Sequence, residues 1–129
     1  MTRLEIRVEA EVDNTESAEK VESAIENVLG DIELKPIKRG DGALLEGRLS
    51  DVESLKRFRD SLSKDRIRDA ARSFLSRRID GDILSFGLNR QAAYAGHVSF
   101  YRFREAPSGP IQITIKGDVS EAIEYLCGK

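Results

Sequence analysis

The side chains that most often do chemistry are scarce here: the 129 residues include one histidine, His97, and one cysteine, Cys127. His97 has no serine or cysteine partner in a nucleophile motif, and one histidine among scattered acids makes no metal-ligand pattern. It reads as a packed or surface residue. Cys127, near the carboxyl end of a short terminal helix, reads as a small buried apolar side chain, and a lone cysteine forms no intrachain disulfide or cysteine-based zinc site. Gly40, Gly42 and Gly47 are not followed by the Gly-Lys-Ser/Thr of a phosphate-binding loop. Glu5, Glu9 and Glu11 alternate with Arg3 and Arg7 along one strand, where pairing on the wet face accounts for them. The sequence therefore predicts no catalytic residue, no metal and no cofactor, and a protein that is not an enzyme.

Charge is the more telling property. The formal net charge is −2, but residues 1–55 hold 14 acids against 7 bases, and residues 56–104 hold 12 bases against 5 acids. A nearly neutral chain can thus present one strongly positive surface, which attracts phosphate backbones or acidic partners. Within the basic block, Arg66, Arg68, Arg72, Arg77 and Arg78 are the candidate phosphate contacts, since the planar guanidinium forks onto phosphate oxygens. A plainer reading pairs Asp65 with Arg68 and Asp69 with Arg72 on one solvated helix face. The stretch Asn89-Arg90-Gln91-Ala92-Ala93-Tyr94-Ala95-Gly96-His97 adds polar and stacking groups, and Arg90, Gln91 and Tyr94 complete the candidate RNA-binding set. Its plainer reading is a tightly packed corner. Tyr101 and Phe103 alternate onto one strand face, fit for stacking bases, for the core or for a dimer contact.

The elements that position these groups follow from periodicity. Leu4, Ile6, Val8, Ala10 and Val12 alternate with charged residues, as in a strand with one buried face. Val21, Ala24, Ile25, Val28 and Leu29 form a helical stripe ending at Gly30. Two strands follow, around Ile32–Ile37 and Leu44–Leu49, separated by a loop over residues 38–42. Ser50-Asp51-Val52-Glu53 has the form of a capping box and opens a helix carrying Leu55, Phe58 and Leu62. A second helix starts at Lys64 or Asp65. Then come a strand over 83–88, a short helical turn over 89–95, strands over 98–103 and 111–116, and a last helix capped by Asp118. Short turns between neighbouring strands predict a single α+β domain over residues 1–129. Its expected form is a two-layer sandwich with a largely antiparallel sheet and helices on one face. No segment is apolar enough to span a bilayer, and Met1-Thr2-Arg3-Leu4-Glu5 lacks a secretory signal's apolar run, so a cytoplasmic protein is expected.

Three segments carry a family resemblance: Arg66-Ile67-Arg68-Asp69-Ala70-Ala71-Arg72, Leu88-Asn89-Arg90-Gln91-Ala92-Ala93-Tyr94-Ala95-Gly96, and Pro107-Ser108-Gly109-Pro110-Ile111. On these the chain resembles the uncharacterised archaeal family UPF0201, whose members are expected to bind RNA. The resemblance covers nearly the whole chain. It implies a fold similar to a large-subunit ribosomal protein and likened to the double-stranded-RNA-binding domain, and it brings no catalytic residues. His97 stands where Lys or Arg is expected in relatives, and Arg68 where an aliphatic residue is common. The expectation is a non-enzymatic protein that contacts structured RNA, ribosomal RNA included, through phosphates. The alternative is a protein-interaction module, a homodimer among its forms, whose basic helices meet an acidic partner.

Overall fold

The computed structural model describes residues 3–13, 15–101 and 109–128. In β1 (Arg3–Val12) the alternation of the sequence becomes a buried face of Leu4, Ile6, Val8, Ala10 and Val12 and a charged face of Arg3, Glu5, Arg7, Glu9 and Glu11. One apolar face requires one covering layer, and the helices supply it. α1 (Ala18–Leu29) is capped by the Ser17 hydroxyl, which accepts from the Lys20 N–H, and it stops at Gly30, whose φ of 76° suits glycine. β2 (Leu34–Arg39) and β3 (Gly42–Asp51) form a hairpin, so the loop expected over 38–42 shrinks to a turn at Gly40-Asp41. A single turn of 3₁₀ helix over Val52–Leu55 leads into α2 (Lys56–Lys64), then α3 (Arg68–Ser76). The cap of that turn is Asp51, whose Oδ1 accepts from the Ser54 N–H, because β3 runs one residue past Ser50.

β4 (Ile79–Asp80) and β5 (Ile83–Leu88) precede α4 (Arg90–Tyr94), β6 (Ile111–Gly117) and α5 (Val119–Cys127). The six strands of the described residues form one sheet in the order β2-β3-β1-β6-β5-β4, antiparallel at every pairing. This is the α+β arrangement that the periodicity predicts. Its core lies between sheet and helices, where Phe58, Leu62 and Leu75 meet Leu84, Phe86, Ile113 and Ile115. Phe58 and Phe86 rings stand 5.9 Å apart, and Phe74 stacks on Phe100 at 4.5 Å. Gly47 is needed for close approach: a Cβ there would sit 2.7 Å from Ile32 Cδ1.

Two further expectations change. The strand expected over 98–103 is reduced to one bridge, Phe100 with Leu88, within its described part; Arg102 and Phe103 lie outside the described residues. The Val98 N–H donates to the Asp65 carboxylate rather than to a ladder, and this ends the strand at its start. α3 begins at Arg68, not at Lys64 or Asp65, because Arg66 breaks the helical path.

Candidate nucleic-acid interface

Arg66 is the only described non-glycine residue with positive φ, at 59°. It stands just past the end of α2, where its N–H donates to Ser63 O while the Ile67 N–H donates to Leu62 O. That pair of bonds is the Schellman helix stop, whose left-handed position normally takes glycine. An arginine there holds an exposed guanidinium at the corner between α2 and α3 despite backbone strain. The corner is anchored by Asp65, which accepts from the Val98 N–H at 3.1 Å and meets His97 Nδ1 at 3.2 Å. Burial pushes the Asp65 carboxyl up, but the Val98 N–H, His97 and Lys64 outweigh it and hold the group below the ordinary value of 3.8.

The other arginines of the basic block divide by task. Arg68 donates to Gly128 O at 3.2 Å and Arg72 to Glu124 Oε2 at 2.9 Å, so both tie α3 to α5. The Glu124 hydrogen bond and charge raise the Arg72 pKa. The Asp65–Arg68 and Asp69–Arg72 pairs expected from spacing are replaced by these contacts, since Asp65 lies outside α3 and Arg72 turns toward α5. Arg77 and Arg78 are exposed at the far end of α3, with Arg78 lying over the Phe74 ring at 4.8 Å. Nine residues of helix separate them from Arg66, about 14 Å.

Arg90 is taken inside the fold. Only 7% of it is exposed, and its guanidinium donates to Glu11 O, Gly109 O, Pro110 O and the Glu16 carboxylate, the last at 2.9 Å. It clamps the end of β1 to the start of β6. Asn89 caps α4 by accepting from the Ala92 N–H, and Ala93 packs into α1. Gln91 and Tyr94 remain outside, Tyr94 at 50% exposure.

Tyr94 separates two clefts. On one side, about 500 Å³ opens between α1 and α4, with Lys20 and Gln91 at its rim, Val21 and Ala24 at its floor, and the Lys20 ammonium 5.9 Å from the Tyr94 ring centre. On the other side, about 530 Å³ is bounded by Arg57, Asp60, Ser61 and Lys64 of α2, Asn27 of α1 and residues 94–96. Arg57, Ser61 and Lys64 fall on one face of α2, four and seven residues apart. Asp60, the acid of that cleft, meets Lys56 at 3.4 Å. Asn27 Nδ2 donates to both Ala93 O and Tyr94 O, fixing the aromatic corner against α1. The clustered cations can hold phosphates, and the exposed ring offers a stacking surface. The Arg57–Lys64 spacing is visible in the sequence, but nothing local places it beside Tyr94, 30 residues later.

Among the described residues, no group of three His, Cys, Asp or Glu side chains is gathered as a metal site, and no helix is long and apolar enough to cross a membrane. The chain matches the family model described as "RNA binding" over residues 5–117. It is 40% identical over 112 residues to a UPF0201 protein of Thermococcus onnurineus, covering 87% of this chain and 82% of the relative. A UPF0201 protein of Aeropyrum pernix is 40% identical over 128 residues, covering 97% and 85% of the two chains. The crystal structure of a UPF0201 protein from Methanococcus jannaschii superposes with a TM-score of 0.83 at 30% identity, covering 95% of this chain and 98% of that one. The segments around Arg66–Arg72 and Leu88–Gly96, which build the α2–α3 corner and the Tyr94 clefts, lie inside that shared length, and the chain belongs to the UPF0201 family.

Proposed function

We propose that this protein is a non-enzymatic RNA-binding protein that holds structured RNA by its phosphates and takes an unpaired base on Tyr94. The family model's description supports the RNA partner. The phosphate contacts are Arg57 and Lys64 at the cleft and Arg66 at the adjoining α2–α3 corner, with Arg77 and Arg78 at the far end of α3 and Gln91 beside the ring. Arg68 and Arg72 act through α5, by orienting the helix that carries the others, and Arg90 by holding the α4 corner. The same reading puts the protein in the cytoplasm with its RNA. The observation that carries it is the meeting of Arg57 and Lys64 with a half-exposed tyrosine at one cleft. Phosphates position an RNA, whereas stacking engages bases that leave the duplex, and this site offers both.

The test is a pair of substitutions in a fluorescence-anisotropy titration with an RNA hairpin. Tyr94→Ala removes the stacking surface and is expected to weaken binding by about 1–3 kcal/mol. Tyr94→Phe keeps the ring and binds like the wild type. A Tyr94→Ala protein with unchanged affinity contradicts the stacking role, and a wild type that binds no RNA contradicts the function.

A further inference from the structure

The face of the sheet away from the helices carries a second cationic feature. Antiparallel register sets Arg7 of β1 directly opposite Arg48 of β3 and, on its other side, opposite Thr114 of β6; Thr114 in turn faces Ser85 of β5. Arg48, Arg7, Thr114 and Ser85 therefore form one row across four strands. Lys116 stands in the next row of the same face, opposite Glu5. Directly opposed side chains have Cβ atoms about 4.5–5.5 Å apart, and like charges at that distance work against the fold. Arg48 leans on Glu46 at 3.4 Å, but the ion pairs found among the described residues include neither Arg7 nor Lys116. A cleft of about 420 Å³ opens over the Arg48–Arg7–Thr114 part of the row, with Lys116 and its neighbour Glu5 also on its walls.

We infer that this row is a second phosphate track, which takes a single-stranded segment of RNA across the open sheet face. The inference rests on the RNA-binding reading for the carrier of the phosphate. Two adjacent guanidiniums present forked donors to one phosphate group, and the anion between them relieves their repulsion. The Ser85 hydroxyl accepts from Gln112 Nε2 at 2.8 Å, which leaves its own proton for a phosphate or ribose oxygen. Gly87, the next outward residue of β5, stands in the adjoining row with Gln112, Glu9 and Glu46, and a Cβ there would lie 3.3 Å from Tyr101 Cβ, so an aromatic side chain borders the face one row away from Ser85. Three strand spacings span roughly 14 Å, a length for a few nucleotides and not for the successive grooves that a duplex binder contacts. A second copy of this chain meeting the row symmetrically would press arginine on arginine, so the occupant is an anion.

The experiment titrates the full-length protein against fluorescein-labelled oligouridylate and an RNA hairpin over a range of salt. In Arg7→Gln/Arg48→Gln, oligouridylate affinity at low salt should fall at least about tenfold, the loss of two charge-assisted contacts. The log–log salt slope should shrink by about 1.4, two single-strand contacts. Glu5→Gln removes the acid beside Lys116 and should tighten binding severalfold, a gain that misfolding cannot produce. If the wild type binds RNA and the double variant binds oligouridylate equally with an unchanged slope, the track is overturned while the RNA-binding function stands. A wild type that binds neither RNA overturns both. Polyglutamate displacing oligouridylate at equal charge would move the row to an acidic polypeptide and overturn its assignment to RNA.

Discussion

Arg66 and Arg90 put the same side chain to opposite uses. Arg90 is buried, and its guanidinium gathers the Glu16 carboxylate and the carbonyls of Glu11 and Gly109 around one charge. Arg90→Gln removes the cation paired with the Glu16 carboxylate, which among the described residues keeps only the Asp13 N–H, and the donors to the carbonyls of Glu11 and Gly109, and urea unfolding should show a loss of about 3 kcal/mol or more. Arg66 behaves in reverse. Its left-handed backbone conformation suits glycine, so Arg66→Gly should hold stability level or raise it by up to about 1 kcal/mol while RNA affinity falls. A parallel loss of stability in Arg66→Gly would contradict the view that this arginine is held there for its charge. The sequence shows that both positions are arginine. It does not show which one faces inward, because that depends on Glu11, Glu16 and Gly109, all distant in the chain.

At the scale of elements, strands and helices with unbroken periods are legible from the sequence, as β1, α1, β5 and β6 illustrate. The failures have a common cause. Asp65 spaces correctly to pair with Arg68, and residues 98–103 alternate like a strand, yet one long-range contact, Asp65 with Val98 and His97, decides both. That contact also fixes the α2–α3 corner against the exit from α4, and its pH dependence follows. Burial raises the Asp65 pKa, while the Val98 N–H, His97 and Lys64 lower it further, so the folded value lies below 3.8. A group depressed in the folded state adds stability above its unfolded pKa and loses it as pH falls through the folded one. Asp65→Asn should therefore unfold at a lower temperature than the wild type at neutral pH, and the gap should close as pH falls below 3.8. A gap that stays constant across that range would show that the carboxylate charge has no part in the corner.

For the whole molecule, folding turns two blocks of sequence charge into a divided surface. The exposed charges of α1 are Glu19 and Glu26 beside Lys20, whereas α2, α3 and the residues flanking α3 expose Lys56, Arg57, Lys64, Arg66, Arg77 and Arg78 against Asp60 and Asp69. On the proposed RNA-binding reading, a polyanion is steered along the helical layer toward α2 and α3, in a manner that salt screens. The charge blocks lead the sequence to predict a positive surface, but not the split of the arginines into exposed side chains and helix ties. Nor does the sequence show that cations of β3 and β6 join Arg7 on the other face. The most direct measurement is the log–log salt dependence of hairpin affinity for Arg57→Gln/Lys64→Gln/Arg66→Gln. Its control is Lys35→Gln/Lys38→Gln/Arg39→Gln, which removes equal charge from edge strand β2. Three lost duplex phosphate contacts should reduce the slope by about 2.7, with little change in the control. A slope equal to that of the wild type, or an equal fall in both variants, would contradict a phosphate site at the α2–α3 corner.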